Sequence, residues 1–451
     1  MKSIRRCQHV ITVFLLIFIA GMITLVVKIN KEASFYMMNS EKHELGMVYD
    51  CRGDVLFDGL GQGQYEEGHF LDIGNLIGDD NGQMDNTLVA QNIELLNNYS
   101  FSAGLVKDGG KAAIYTTLDH NANRAVYNAY QGARGCAVAY NYKTGELLVC
   151  TSLPNIDPTQ GYEDTENMES GTLLSKAMYG TVPGSTQKVS TVISALEIMG
   201  QEKLFSKSFS CEGQYINREG KPIDCHQTWG HGEQNIQQAV ENSCNPFFAQ
   251  LVEDPDMPLS EVKRMYTKLG YAVNDAKPEY IDIDGIQCEK ASTTLTDSGD
   301  FNTQWGCIGQ GDTLVSPIQL MMWESAIANG TGKMTMPHLI SKVTDVYGDV
   351  SEVRGTSFSK QVFSSSTAST VKQILTTNGA NHYTGSIPGY SLGIKSGTAQ
   401  VKNGDEENAL LVGFVDDASH PIAFCVLLEN KYSTPVSAEQ ITKTMLDALC
   451  G

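Results

Sequence analysis

Hydrophobic residues follow three different patterns along the 451 residues of the chain. The first is an apolar run from Val10 to Val27 without a charged residue, long enough to cross a bilayer as a helix. We therefore predict a transmembrane helix at 10–27, preceded by a short tail at 1–9 and followed by a polar stalk at 28–46. A cleaved signal peptide is the alternative, but the run is long for one and no A-x-A site follows it.

The charges beside this run indicate its orientation. Lys2, Arg5 and Arg6 precede it, and no acidic residue does. Because positive charges stay on the cytoplasmic side of a membrane span, we place the tail in the cytoplasm and the remainder of the chain outside the cell membrane.

The second pattern covers 47–111, where apolar residues are sparse and Gly, Asp and Asn are frequent. One stretch in it, Thr87–Asn97, has helical periodicity. We expect a small accessory module with a thin core.

The third pattern begins near residue 112 and consists of dense apolar segments. A helical stretch at Asn121–Tyr130 precedes two strand-like segments joined by a polar Lys-Thr-Gly turn, which predicts a hairpin. Three more strand-like segments, SLGIKSGTAQ, ALLVGFVDD and PIAFCVLLEN, precede a helix at Val436–Leu449. Mostly helical patterns separate the two groups, so we predict one α+β domain over 112–451 whose sheet is formed by both of its ends.

Composition narrows the class of protein. Apolar residues make up 41% of the chain and charged residues 19%, which is ordinary for a folded protein. The net charge is −20, and removing the five positive charges of 1–31 leaves −25 on the exported part. Such an acidic surface argues against nucleic acid as a partner, because phosphate binding requires clustered Lys and Arg.

Two of the eleven cysteines differ from the others in context. Most lie in apolar segments and are predicted to be buried thiols, whereas Cys211 and Cys225 flank a polar loop and could form a disulfide outside the cell. A zinc site formed by these two with His226 and His231 is less favoured, because the loop contains no C-x-x-C pair. We leave the disulfide open and expect neither a metal nor an organic cofactor.

The pattern Ser-x-x-Lys occurs four times, beginning at Ser185, Ser260, Ser357 and Ser369. The last three lie at polar helix positions or in a loop, where serine commonly caps a helix or bonds the local backbone. Ser185 instead follows Val-Pro-Gly and precedes KVSTVISALEIMG, which has apolar residues at i, i+3, i+4 and i+7 and a terminating glycine. Context therefore selects Ser185.

Lys188 lies three residues after Ser185, so the two side chains share one helix face. Burial lowers the pKa of an amine, and a helix N-terminus stabilises negative charge on oxygen. Both effects favour a nucleophilic Ser185 that passes its proton to Lys188. A helix cap beside a surface lysine is the alternative.

Ser243 and Asn245 form the only Ser-x-Asn in the chain, between two helical patterns. A hydroxyl and an amide at this spacing can relay a proton and hold a substrate amide. The alternative is a helix-ending turn in which both side chains bond the local backbone.

The Lys-Ser-Gly-Thr sequence at 395–398 lies on a late strand. Its glycine lets a substrate backbone approach the strand, and its lysine supplies a cation for a carboxylate. The similar Lys-Thr-Gly at 143–145 lies at the tip of the predicted hairpin, where glycine serves the turn.

In this order and context, the three patterns resemble the motifs of the penicilloyl-serine transferases. Longer blocks are similar to those of class B penicillin-binding proteins, which are peptidoglycan D,D-transpeptidases: LLSKAMYGTVPGSTQK, HGEQNIQQAVENSCNPFFAQL, IGQGDTLVSPIQLMMWESAIANG and KSGTAQ. DCRGDVLFDG is similar to the start of the exported region in that family. The likeness extends from about Ile114 to the C-terminus.

The resemblance implies an antiparallel sheet flanked by helices, with a helical subdomain beside it. It implies that Ser185 is acylated by a D-Ala-D-Ala stem peptide, or by a β-lactam, with Lys188 as general base. Ser243 and Asn245 would then act as proton relay and substrate clamp.

The same resemblance implies a binding site for the terminal carboxylate of the substrate, formed by Lys395, Ser396, Gly397 and Thr398. It also implies an oxyanion hole made by the backbone N–H groups of Ser185 and Thr398.

For function, the resemblance implies peptidoglycan cross-linking by an enzyme held at the membrane by its N-terminal helix, with a membrane glycan polymerase as a candidate partner. A D,D-carboxypeptidase or β-lactamase-like hydrolase shares the acylation step, and a catalytically silent penicillin-binding scaffold shares the fold. The anchor, the accessory module and the order of the blocks disfavour the hydrolases. The intact motif residues disfavour the scaffold.

Overall fold

The computed structural model describes residues 2–38, 44–97, 99–100, 104–105, 110–162 and 167–451. Its first element is helix α1 (Lys2–Met38), in which the segment Gln8–Ile29 is long and apolar enough to cross a membrane and is not buried by the rest of the chain. The predicted span at 10–27 lies inside that segment. The predicted stalk is helical as far as Met38, and 39–43 lie outside the described residues.

Short strands and helices follow in the predicted accessory module: β1 (Met47–Tyr49), β2 (Val55–Asp58), α2 (Gly74–Ile77), α3 (Leu88–Gln91), α4 (Ile93–Leu96), β3 (Tyr99–Ser100), β4 (Gly104–Leu105) and, just after it, β5 (Ala113–Thr116). The single helix predicted at Thr87–Asn97 is therefore two helices. Asn92 separates them with a non-helical backbone. Its side-chain amide donates to the carbonyl of Leu88 at 2.9 Å and to that of Asp284, in a distant loop, at 3.0 Å.

The remaining elements, in chain order, are α5 (His120–Ala129), β6 (Gly135–Asn141), β7 (Leu147–Leu153), α6 (Lys188–Met199), α7 (Gln201–Ser206), β8 (Phe209–Cys211), β9 (Gln214–Ile216), β10 (Pro222–Asp224), β11 (Gly232–Gln234), α8 (Ile236–Glu241), α9 (Asn245–Glu253), α10 (Leu259–Leu269), β12 (Ala272–Val273), β13 (Tyr280–Ile283), β14 (Ile286–Glu289), β15 (Ser292–Thr293), α11 (Phe301–Ile308), α12 (Pro317–Ala328), β16 (Lys333–Thr335), β17 (Ile340–Thr344), β18 (Val350–Val353), β19 (Phe358–Gln361), α13 (Ser365–His382), β20 (Leu392–Val401), β21 (Glu406–Val415), β22 (Ile422–Leu428) and α14 (Ala438–Cys450).

The main sheet has the strand order β20-β21-β22-β6-β7, and all its neighbouring strands are antiparallel. Helices α5 and α14 cover one face, where Ala137 and Ala139 are buried, and α12 covers the other, where Val138 and Tyr140 are buried. This confirms the predicted α+β class and a sheet formed by both ends of the domain. The predicted hairpin is β6–β7, with its Lys-Thr-Gly turn at 143–145.

A second sheet, of order β18-β17-β5-β1-β2, combines the predicted accessory module with strands from much later in the chain. Strand β5 pairs in parallel with β1 and antiparallel with β17. The module thus shares its sheet with residues of the predicted 112–451 domain.

The region between the two groups of main-sheet strands contains more strand than its helical pattern predicts. Strands β8 to β19 are two to five residues long and pair mostly as isolated two-stranded sheets. So few residues give no recognisable alternation of apolar and polar positions, which is why the sequence pattern did not predict them.

Strand β20 is an edge of the main sheet, and helix α13 packs against it through a glycine. A methyl group added at Gly379 would lie 1.9 Å from the carbonyl oxygen of Leu392 in β20. The absence of a side chain at this position therefore sets the distance between α13 and the edge strand.

We predict that Gly379→Ala lowers the free energy of unfolding by about 1–3 kcal/mol, the usual cost of overpacking, although alanine is the better helix former. Thermal denaturation of the full-length chain measures the change. Gly385→Ala is the matched control, because nothing lies within 4 Å of its added methyl group. Equal stability of the two variants would contradict the proposed contact.

Candidate active site

Ser185 lies on a 3-10 turn, Gly184–Gln187, that leads directly into α6. The turn begins with Gly184 at φ +55°, a conformation that glycine adopts readily. The sequence predicted that an α-helix begins at Ser185, and the tighter turn replaces its first residues. Ser185 is half-buried, whereas Lys188 at the first position of α6 is fully buried.

The Lys188 amine is in contact with three elements at once. Its Nζ lies 2.8 Å from Ser185 Oγ, 2.7 Å from the carbonyl oxygen of Ser243 and 2.7 Å from Asn245 Oδ1. Two of these oxygens can only accept hydrogen bonds: the Ser243 carbonyl, and the amide oxygen of Asn245, whose Nδ2 donates elsewhere, to the carbonyl of Asp224 at 2.9 Å. A neutral amine has two N–H donors for these oxygens and one lone pair, which is available to the Ser185 O–H.

Electrostatics favour this neutral form of Lys188. Burial lowers the pKa of Lys188 well below that of a free lysine, and the nearby charge of Lys395 lowers it further. An amine without its extra proton is able to take the proton of Ser185.

Ser243 provides a backbone group that the sequence did not predict. It lies between α8 and α9 with φ +49°, an uncommon conformation for a residue other than glycine. This conformation places both its carbonyl oxygen, at 2.7 Å, and its hydroxyl, at 3.3 Å, beside Lys188 Nζ. Serine gives no sequence signal for a left-handed backbone, so only the side chain was expected at the site.

Lys395 is the second buried cation of the site. Its Nζ donates to Ser243 Oγ at 3.1 Å and to its neighbour's carbonyl, Ser396 O, at 2.7 Å. Burial lowers the pKa of Lys395 to about 7. The Ser243 hydroxyl therefore lies between the two lysine amines, where it can relay a proton.

Strand β20 lies directly against the serine turn because glycine occupies position 397. A methyl group at Gly397 would lie 2.8 Å from the carbonyl oxygen of Pro183 and 3.0 Å from the backbone nitrogen of Thr186. The next residue, Thr398, accepts a hydrogen bond at its Oγ1 from Lys431 Nζ at 3.2 Å. Lys431 lies outside every motif, so no sequence pattern predicted it at this position.

The motif residues meet in one cleft with a volume of about 540 Å³. Its lining includes Ser185, Ser243, Asn245, Ser396, Gly397 and Thr398, together with Phe301, Trp305, Gln310, Gln400 and Glu407. The structure therefore brings the three separate sequence patterns together, and Lys188 and Lys395 lie buried beneath the cleft.

A group of three cysteines and one histidine lies beside this cleft, and one of the cysteines, Cys225, is part of the cleft lining. Cys211, Cys225 and Cys244 are free thiols in the structure, and their Sγ atoms and a ring nitrogen of His231 all lie within 4.8 Å of one another. The structure thus has no Cys211–Cys225 disulfide. The sequence-based zinc alternative used His226, whereas in the structure the fourth donor is Cys244, from the Ser-x-Asn turn.

This donor set fits a structural zinc ion. Tetrahedral Zn²⁺ with Zn–S bonds of about 2.3 Å holds its sulfurs about 3.8 Å apart, and three Cys with one His is a common ligand set. The hydrogen bond that the Cys244 thiol donates to Cys225 lowers the pKa of Cys225 and raises that of Cys244, so one thiolate is favoured in this group, and a thiolate is the form that binds zinc. Four protein ligands leave no open position for a water, so the metal would hold the turn that carries Ser243 and Asn245.

Residues 135–447 match the family model described as the penicillin binding protein transpeptidase domain. Stage V sporulation protein D of Bacillus subtilis is 29% identical over 333 residues, which cover 69% of this chain and 48% of that protein. Peptidoglycan D,D-transpeptidase MrdA of Escherichia coli K12 is 26% identical over 361 residues, which cover 71% of this chain and 55% of that protein. The chain thus spans about half the length of these curated relatives.

Solved structures show the same fold. A ceftriaxone acyl-enzyme complex of penicillin-binding protein A from M. tuberculosis superposes with a TM-score of 0.77 at 17% identity, covering 91% of this chain and 99% of that one. The D,D-transpeptidase domain of a peptidoglycan glycosyltransferase from Eggerthella lenta superposes with a TM-score of 0.72 at 20% identity, covering 90% and 98%.

We predict that the full-length chain, purified without chelators, contains about one zinc ion per molecule by elemental mass spectrometry. Cys225→Ser is expected to lose the metal and to melt several degrees lower, and chelation of the wild type is expected to do the same. Cys51→Ser, which removes an exposed thiol outside the cluster, is the control and should keep its metal. A metal-free protein with a Cys211–Cys225 disulfide in peptide maps would contradict the assignment.

We also predict a bell-shaped pH dependence for acylation by a carboxylate-bearing β-lactam. The rate should fall as pH drops through the lowered pKa of Lys188, because the protonated amine cannot accept the serine proton. It should fall again above the pKa of Lys395 of about 7, because the neutral amine no longer attracts the carboxylate. Stopped-flow acylation rates between pH 5 and pH 10 measure both limbs.

A β-lactam whose carboxylate is esterified is the control, since it should lose the alkaline limb and keep the acid limb. A rate that keeps rising with the carboxylate-bearing compound up to pH 10 would contradict a neutral Lys188 beside a charged Lys395.

Proposed function

The chain belongs to the penicillin-binding protein transpeptidase family, and from that premise we propose that it is a peptidoglycan D,D-transpeptidase with Ser185 as its nucleophile. The observation that carries the proposal is the position of the buried Lys188 amine, 2.8 Å from Ser185 Oγ. The Ser243 carbonyl oxygen and Asn245 Oδ1 hold it there by accepting hydrogen bonds from its N–H groups. In this arrangement the serine proton has a base within hydrogen-bond distance.

Acylation then proceeds at the carbonyl carbon of the penultimate D-Ala of a stem peptide. Ser185 Oγ forms the new bond to that carbon while its proton passes to Lys188 Nζ. The carbonyl oxygen becomes an oxyanion and accepts hydrogen bonds from the backbone N–H groups of Ser185 and Thr398. When the C–N bond breaks, the leaving nitrogen of the terminal D-Ala takes a proton through the Ser243 hydroxyl, which lies 3.3 Å from Lys188 Nζ.

Transfer completes the reaction. The amine of a second stem peptide attacks the ester carbon, and the base at Lys188 accepts the proton that it loses. The bond from carbon to Ser185 Oγ breaks, the serine recovers a proton, and the two peptides are left joined by an amide. A β-lactam acylates the same serine, but its ring-opened product keeps the leaving nitrogen attached.

Charge distribution supports a substrate with a free carboxylate. Lys395 lies buried beneath the cleft, and Lys431 donates to the Thr398 hydroxyl at its edge. Because Lys431 occupies a lone pair of that hydroxyl, the Thr398 O–H is directed to another acceptor. A terminal carboxylate in the cleft supplies one.

The proposal extends to location and partners. The apolar segment Gln8–Ile29 would anchor the chain in the cell membrane, with the basic N-terminal residues in the cytoplasm and the cleft on the outer side. A membrane glycan polymerase is the fitting partner, because cross-linking acts on newly made glycan strands.

The test is covalent labelling of the full-length, detergent-solubilised chain with a fluorescent penicillin. We expect the wild type to label and Ser185→Ala to lose all labelling, because the acyl bond has no other acceptor of equal reactivity. Ser260→Ala is the matched control, since it removes a Ser-x-x-Lys serine from the exposed start of α10 and should label like the wild type. An unlabelled wild type, or a labelled Ser185→Ala, would sink the nucleophile assignment.

A second arm of this experiment separates transfer from hydrolysis. The chain is supplied with a D-Ala-D-Ala pentapeptide and a labelled D-amino acid as amine acceptor. A transpeptidase produces the exchanged peptide, whereas release of D-Ala with only the shortened peptide would identify a carboxypeptidase instead.

A further inference from the structure

The oxyanion hole of the proposed function needs two N–H donors from elements far apart in sequence, Ser185 on its 3-10 turn and Thr398 on β20. Donors of this kind act only when both point to the same position to within a few tenths of an ångström. Direct packing of β20 on the turn sets their separation in part. A third element, the loop after α11, contacts both.

This loop meets the serine turn through its backbone. Gly309 ends α11 in a left-handed conformation with φ +99°, and its carbonyl oxygen accepts the N–H of Gly184 at 2.8 Å. The approach is close, because a methyl group added at Gly309 would lie 1.9 Å from the carbonyl oxygen of Gly184. The residue before Ser185 is therefore bonded to the end of α11.

The same loop meets the edge strand through the side chain of Gln310. Its Nε2 donates to the carbonyl oxygen of Thr398 at 3.0 Å, and its Oε1 accepts the N–H of Gln400 at 3.2 Å. The Gln310 side chain is nine-tenths buried and lines the cleft. One amide thus pairs with two backbone groups on the exposed edge of β20, as a neighbouring strand would.

These bonds also fix the direction of the Thr398 N–H. In a β-strand, the N–H and the C=O of one residue point to the same side. Because the Thr398 carbonyl points from the sheet edge to Gln310, the Thr398 N–H also points out from that edge, where the cleft lies. Gln310 therefore holds the two peptide groups that directly follow this donor along the strand.

We propose that Gln310 is a positioning residue of the reaction, which, with the Gly309 backbone, holds the Thr398 and Ser185 N–H groups in register as one oxyanion hole. This inference rests on the proposed function, because it concerns the same acylation step. It assigns a role to the Ile-Gly-Gln-Gly segment, which contains no group that reacts with substrate. Gln310 acts through the backbone of β20.

The test compares acylation of full-length variants by a chromogenic cephalosporin under pre-steady-state conditions, which separate the first-order acylation constant from the dissociation constant of the initial complex. Gln310→Met keeps the volume of the side chain and removes both hydrogen bonds. We expect its acylation constant to fall by about 10- to 100-fold, since complete loss of one oxyanion donor costs about 100- to 1,000-fold. The dissociation constant should change by less than about threefold, because oxyanion contacts form only in the transition state.

Gln304→Met is the matched control. Gln304 lies on α11, the helix that precedes the Gln310 loop. It is fully buried and donates through its amide to Glu253 and to the carbonyl of Ser298, away from β20. It should lose thermal stability as Gln310→Met does and acylate at the wild-type rate. A wild-type rate for folded Gln310→Met, or equal slowing of both variants, would overturn the proposal.

Gln310→Glu keeps the test decisive if the methionine variant does not fold. Its carboxylate still accepts the Gln400 N–H but repels the Thr398 carbonyl, and protonation restores a donor. The acylation rate relative to the wild type at the same pH should therefore rise as the pH is lowered. A ratio that does not change with pH would overturn the proposal, whereas a wild type that is never acylated would overturn the proposed function instead.

Discussion

Burial of the Lys188 amine is the constraint on which the rest of the site depends. A lysine removed from water retains its charge only at a large cost, so it must be paired with acceptors or give up its proton. Here the Ser243 carbonyl and the Asn245 amide accept its N–H groups, which leaves its lone pair for the Ser185 hydroxyl. One buried amine therefore explains the left-handed backbone of Ser243, the fixed orientation of Asn245 and the activation of the serine.

The fold supplies these groups from three places that the sequence keeps apart. The serine turn and α6 come from the helical region, the Ser243 turn joins α8 to α9, and Lys395 and Thr398 lie on the edge strand of the main sheet. Glycine at 184 and 397 lets the turn and the strand touch. Two further groups contact these elements. Cys244, which lies with Cys211, Cys225 and His231, belongs to the Ser243 turn, and the Gln310 side chain bonds to β20.

Much of this arrangement could be predicted from sequence. The main-sheet strands are long and apolar, so they left a clear pattern. The three motifs were recognised because their contexts agreed, and the structure places their residues in one cleft. The short strands β8 to β19 gave no pattern. Groups that act through the backbone, such as the Ser243 carbonyl, left no side-chain signal. The surroundings of the Cys244 thiol and of the Gln310 amide are formed by residues of other elements, which no local sequence pattern indicates. Asn92 interrupts a helix for the same reason, since one of its bonds reaches a distant loop.

The protonation state of Lys188 tests this account most directly. The measurement is an NMR titration of the full-length chain in detergent with lysine labelled with 13C at Cε, and Lys188→Met assigns the signal. We predict that the Lys188 signal titrates well below the value of about 10.4 of an exposed lysine, so that the amine is neutral while exposed lysines are still charged. Titration of this signal near 10.4 would contradict the account, because a charged Lys188 could not accept the proton of Ser185.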